Sequence, residues 1–188
     1  MEVTTMQRAC ASTDRILEGV TAEHYDLSTP CVDWNTRALL NHVLGTLALG
    51  AGLLSDVEPT VRMAPGSLPD ADLVGDDPLK VYRVGVDGLL TAARGDALSR
   101  SHSTPLGDMP GSVLGGFTTL DIAVHGWDLA KATGQHAELD DELADEVLAF
   151  ARRTITDATR APRIAPEVAA GPEASATDRL VAFLGRRP

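Results

Sequence analysis

The chain has 188 residues, 44% of them hydrophobic but only 4% aromatic, and it carries a formal net charge of −11 with a pI near 4.7. An acidic surface repels phosphate backbones, and no cluster of Lys and Arg opposes it, which argues against nucleic acid as a partner. The length fits a single domain over residues 1–188, and a core built from Leu, Val and Ala rather than aromatics favours packed helices.

Residues from about Thr4 to Val20 place Ala9, Ile16, Leu17 and Val20 at mostly helical spacing and predict a first helix. After the turn Ser28-Thr29-Pro30-Cys31, Asn35 or Thr36 can cap a second helix carrying Leu39, Leu40, Val43, Leu44 and Leu47 to about Leu54. Its uncharged stretch is interrupted by Asn41, His42, Thr46 and glycines, so it reads as a buried helix rather than a membrane span. Prolines and glycines between Asp56 and Asp76 predict a long loop, of the kind that is usually functional or mobile. Asp77-Pro78 opens a third helix through Val81, Val84, Leu89 and Leu90 to about Arg94, weakened by Gly85 and Gly88, and its apolar face would permit a homodimer. A turn-rich segment from Ser99 leads into a long fourth helix from Gly111 to Gly134. A fifth helix follows Asp140 with Leu143, Val147, Leu148 and Phe150 on its apolar face. A Pro-rich connection from Ala161 to Pro172 then leads to a last helical segment from Asp178 to Leu184. The sum is an all-α bundle.

The fourth helix carries the chemistry. Asp121, His125 and Asp128 follow one another at spacings of four and three, which on a helix puts them within roughly 60° of one another. Leu114, Phe117, Val124 and Ala132 lie on or beside that stripe, so the apolar face takes two carboxylates and an imidazole inward. Buried charge needs partners, and a bound cation is one arrangement that supplies them; a metal-free Asp–His hydrogen-bonded pair is the other. His42 lies mid-way along the second helix, beside Gly45 and Thr46. If helices two and four face each other, it joins Asp121 and His125 in a two-imidazole, one-carboxylate set. Such a set suits an open zinc site, and also nickel, iron or manganese. Asp128 would either orient a ligand or enter the coordination sphere itself.

No HExxH, Cys-rich zinc pattern, Walker loop, nucleophile elbow or dinucleotide fingerprint occurs. His24, His102 and His136 sit in polar, turn-like surroundings and read as surface residues. Cys31 lies near a helix N-terminus, which can lower a thiol pKa, but no histidine stands beside it in sequence, and a structural role is expected. Cys10 and Cys31 form neither a CxxC pair nor a secreted disulfide pattern. The N-terminus has no basic-then-apolar leader, so a cytoplasmic protein without membrane anchor is expected.

Four segments together resemble a known family: Thr29-Pro30-Cys31-Val32-Asp33-Trp34, Leu39-Leu40-Asn41-His42-Val43, the run from Asp121 to Gly134 with its His125-Gly126-Trp127-Asp128 centre, and the ending from Asp178 to Arg186. They are similar to actinobacterial metal-binding proteins of the DinB-like superfamily, related to the N-terminal domain of mycothiol-dependent maleylpyruvate isomerase. The resemblance implies an up-down-down-up four-helix bundle with short additional C-terminal helices. It also implies a divalent metal, zinc before nickel or iron, held by His42, Asp121 and His125. In related enzymes the metal binds the thiol of a small cosubstrate such as mycothiol, which then attacks an electrophile, so a small thiol and a small-molecule substrate are the implied partners. The isomerase has glutamate where this chain has Asp121, and it carries a further C-terminal domain for which the residues after Phe150 are too few, so maleylpyruvate itself is not the expected substrate. A non-catalytic metal module, whether sensor, carrier or structural site, is the competing reading. Trp127 is expected to pack in the bundle, and the loops before Asp76 and around Gly107 to Pro110 to shape the substrate entrance.

Overall fold

The computed structural model describes residues 1–64, 66–160 and 164–188. Residue 65 of the expected loop and residues 161–163 of the expected Pro-rich connection lie outside the described residues. The helices are α1 (Val3–Leu17), α2 (Thr36–Leu54), α3 (Pro78–Ala92), α4 (Gly111–Ala132), α5 (Asp141–Thr154), α6 (Asp157–Arg160) and α7 (Ala176–Phe183). Strands β1 (Ser101–Thr104) and β2 (Gly107–Pro110) form a small antiparallel hairpin. The protein is the all-α bundle expected, and the chain divides into two compact units, Met1–Ala137 and Glu138–Pro188.

In the first unit α2 packs against α3 and α4, and α1 against α4 and α3, so each helix buries two flanks. Met6, Leu39, Leu40, Leu47, Tyr82, Leu89, Ile122 and Leu129 fill the interior. Asn35 caps α2 by accepting from the Ala38 N–H, and Asp77 caps α3 by accepting from Lys80, as the sequence indicates. Helix α1 stops at Leu17, short of Val20. Among the described residues α2 is the one helix long and apolar enough to cross a membrane, and 56% of that stretch is buried within the protein, which makes it a core helix here.

Two expectations need correction. Of the four apolar residues read along α3, Leu89 is buried and Leu90 half-buried, whereas Val81 and Val84 are 40% and 65% exposed and Tyr82 is buried in their stead. Gly85 lies between Tyr82 and Leu89 on the inward face, and a Cβ there would meet Leu47 at 3.0 Å, so the glycine that weakens the helix also lets α2 approach. His102 is not on the surface but 1% exposed. The hairpin carries it inward, where Nε2 donates to the Ala97 carbonyl at 2.7 Å and Nδ1 meets the Asp56 carboxylate at 2.9 Å. That contact and the Arg100 guanidinium hold the Asp56 carboxyl below its ordinary range.

In the second unit α5 packs on α7. Ser175 and Asp178 form a reciprocal capping box at the start of α7, and Thr177 accepts from the Leu139 N–H. Leu143, Val147, Phe150, Leu180 and Val181 are buried here.

Close approach also governs Gly126, where a Cβ would collide with Thr13 Oγ1, whose hydroxyl donates to the Ile122 carbonyl across α1 and α4 at 3.0 Å. Gly126→Ala should lower stability by about 1–3 kcal/mol in denaturant unfolding through overpacking. Gly88→Ala, on an exposed helix position with nothing within 4 Å, should raise it by about 0.5–1 kcal/mol.

Candidate metal centre

The facing of α2 and α4 brings His42, Asp121 and His125 together, with their ligand atoms all within 4.8 Å of one another. Asp121 Oδ2 lies 3.1 Å from His42 Nε2, and Oδ1 lies 3.5 Å from His125 Nε2. The two imidazole rings stand edge to face with centroids 5.0 Å apart. Thr46, one turn along α2 from His42, donates to Asp121 Oδ2 at 2.7 Å. Both histidines are buried, whereas the Asp121 side chain is 28% exposed and forms the mouth of the cluster.

The outer nitrogen of each ring is fixed. A carbonyl can only accept, so the 2.6 Å contact between His42 Nδ1 and the Ser67 carbonyl places a proton on Nδ1. His125 Nδ1 likewise donates to Asp128 Oδ2 at 2.9 Å. In their neutral form, rings held this way turn their Nε2 lone pairs toward Asp121. His42 Nε2 is buried and makes no hydrogen bond; its 3.1 Å approach to Asp121 is close enough for charge attraction but lacks hydrogen-bonding alignment. In that form the lone pair and the carboxylate face each other in the interior as two acceptors, and a cation between them, a proton or a metal ion, satisfies both.

Asp128, fully buried, therefore stands behind His125 rather than beside the other two groups. It also accepts from Cys31, whose Sγ lies 3.4 Å from Asp128 Oδ2 and 3.6 Å from His125 Nδ1. The expectation of a merely structural Cys31 overlooked this neighbour because 94 residues separate it from His125. The turn that delivers it is tightly tied. Thr29 Oγ1 accepts from the Cys31 N–H and donates to the Trp34 carbonyl at 2.9 Å, and Asp33 adopts φ 73°, a left-handed conformation. The same turn lays the Trp34 ring against His42, with centroids 4.7 Å apart. Trp127 is buried, as expected, with Lys131 Nζ 5.3 Å from its ring. Ser67 shows that the loop before Asp76 reaches the cluster, whereas Gly107 to Pro110 contributes no side chain to it among the described residues.

A sequence model of the mycothiol maleylpyruvate isomerase N-terminal domain matches residues 6–130. Two uncharacterized proteins of Mycobacterium tuberculosis, from strains CDC 1551 / Oshkosh and H37Rv, are each 37% identical over 183 residues, covering 96% of this chain and 94% of theirs. No solved structure matches the chain.

Burial acts to raise the Asp121 carboxyl, but the His42 and His125 charges on either side hold it well below the ordinary carboxylate range. Burial acts to lower His125, yet Asp121, then Asp128 and Cys31, lift it well above the ordinary histidine range. In metal-free protein the raised His125 adds stability that is complete below about pH 6.5 and is lost as pH rises through its folded value. The depressed Asp121 adds stability that is complete above about pH 4 and is lost as pH falls through its folded value. The difference in Tm between metal-free wild type and metal-free Asp121→Asn should therefore peak between about pH 4 and 6.5 and shrink in alkali. A difference that grows steadily above about pH 7 would contradict the pairing.

Proposed function

The chain belongs to the mycothiol maleylpyruvate isomerase N-terminal domain family, and on that premise we propose that it is a metalloenzyme. In this reading His42, Asp121 and His125 hold one divalent ion, zinc foremost, and a low-molecular-weight thiol of the mycothiol kind is transferred to, or isomerises or detoxifies, a small electrophile. The observation that carries the reading is the buried His42 Nε2, without a hydrogen-bond partner and 3.1 Å from a carboxylate oxygen. A metal-free structural pair would leave no such atom; His102, with both nitrogens engaged, is what a satisfied buried histidine looks like in the same chain.

When bound, the ion would act as a Lewis acid that favours the deprotonated form of a thiol at its open position. Ser67 and Asp128 keep the two Nε2 atoms presented, and Thr46 holds Asp121 in place against the rings. Trp34 packs against the His42 ring and Cys31 lies against His125, on the side of the cluster formed by the Thr29–Trp34 turn. The exposed edge of Asp121 leaves the approach for a ligand.

Elemental analysis of purified protein should find about one equivalent of transition metal in wild type and little in His42→Ala or His125→Ala. Asp128→Asn should keep the ligands but weaken metal affinity by about 10–100-fold, read by competition with a chromophoric chelator. Metal content unchanged in both histidine variants would overturn the site. A metal-loaded protein that neither consumes a thiol with any of a panel of electrophiles nor loses such activity on chelation would leave the non-catalytic module as the better reading.

A further inference from the structure

His125 serves two groups with its two nitrogens. Nε2 faces Asp121, while Nδ1 lies 2.9 Å from Asp128 Oδ2 and 3.6 Å from Cys31 Sγ, with Sγ and Oδ2 themselves 3.4 Å apart. We propose that Cys31, Asp128 and His125 Nδ1 form a second metal site, selective for a soft, thiophilic cation, whose occupation excludes an ion from the His42–Asp121–His125 cluster.

Three observations carry it. The spacing is right: bonds of about 2.0–2.3 Å to a tetrahedral ion place N, O and S ligands about 3.3–3.6 Å apart, and two of the three edges fall there or within a tenth of it. The third, 2.9 Å, is the Nδ1–H to Asp128 hydrogen bond, which opens by a few tenths of an ångström once its proton leaves. The charge is right: a thiolate and the fully buried Asp128 carboxylate together neutralise a divalent ion. Access is right too, because Cys31 is only partly covered and its neighbour Val32 is 85% exposed. The His42 cluster contains no sulfur, so softness separates the two sites.

Exclusion follows from the ring. A neutral imidazole has one free lone pair. An ion on Nδ1 displaces the Cys31 S–H and His125 Nδ1–H protons, and the ring keeps a single proton, on Nε2, where it points at Asp121 as a donor and can no longer ligate. This exclusion rests on the reading of the first cluster given above; the Cys31 site does not. Cys10 is no competitor, since it is 2% exposed in the core and burial pushes its thiol up to about 12.

The test is a cadmium titration of metal-free protein, followed by thiolate-to-cadmium charge-transfer absorption. Wild type and His42→Ala should each develop the band with about one equivalent bound. Cys31→Ser, checked for unchanged far-ultraviolet circular dichroism, should lack the band, and Asp128→Asn should weaken binding by about tenfold or more. In cobalt-loaded wild type, the visible cobalt spectrum should disappear as the cadmium band grows. Absence of the band from wild type, or its persistence in Cys31→Ser, overturns the second site. Cadmium binding with the cobalt spectrum intact overturns the exclusion. Cobalt that binds no variant differently while the cadmium band depends on Cys31 overturns the first-cluster reading and sustains the second site.

Discussion

The arrangement turns on one carboxylate, Asp121, held between two buried imidazoles where α2 and α4 meet. Charge in such a place is unfavourable unless everything around it is fixed, and the surrounding structure does the fixing. Thr46 donates to the carboxylate, Ser67 and Asp128 set the orientation of the two rings, and Trp34 lies against His42. Close approach behind the cluster depends on Gly126 against Thr13, and the packing of α3 on the other flank of α2 depends on Gly85 against Leu47.

His102 and His42 illustrate how partners divide structural from ligand-like histidines. Both are 1% exposed. His102 has an acceptor at each nitrogen and ties the hairpin to Asp56 and Ala97. His42 also faces an acceptor at each nitrogen, the Ser67 carbonyl and Asp121, but its Nε2 makes no hydrogen bond to the carboxylate 3.1 Å away. The first arrangement is complete without a ligand, and the second is completed by a cation. That difference, rather than burial, supports the metal reading.

Helical periodicity made much of this visible in the sequence, because Asp121, His125 and Asp128 lie on one helix and their common face follows from spacing alone. His42 required the added condition that α2 faces α4, which its small neighbours made reasonable. Cys31 and His102 were not legible, for a shared reason. Each is positioned by an irregular or very short element, the Thr29–Trp34 turn and a hairpin of four-residue strands, whose polar residues carry no hydrophobic period. On α3 the sequence identified Leu89 but took Val81 and Val84 where Tyr82 and Gly85 turn inward, because a glycine in a close contact looks in sequence like a gap in an apolar stripe. The caps Asn35 and Asp77 were readable because their chemistry is local.

X-ray absorption at the zinc edge, on protein loaded with a single equivalent, tests the central reading most directly. The account predicts a nitrogen and oxygen shell at about 2.0–2.1 Å, with the outer-shell scattering of two imidazoles and no sulfur. A sulfur scatterer near about 2.3 Å, or the signature of a single imidazole, would contradict the assignment of His42, Asp121 and His125 as the zinc ligands.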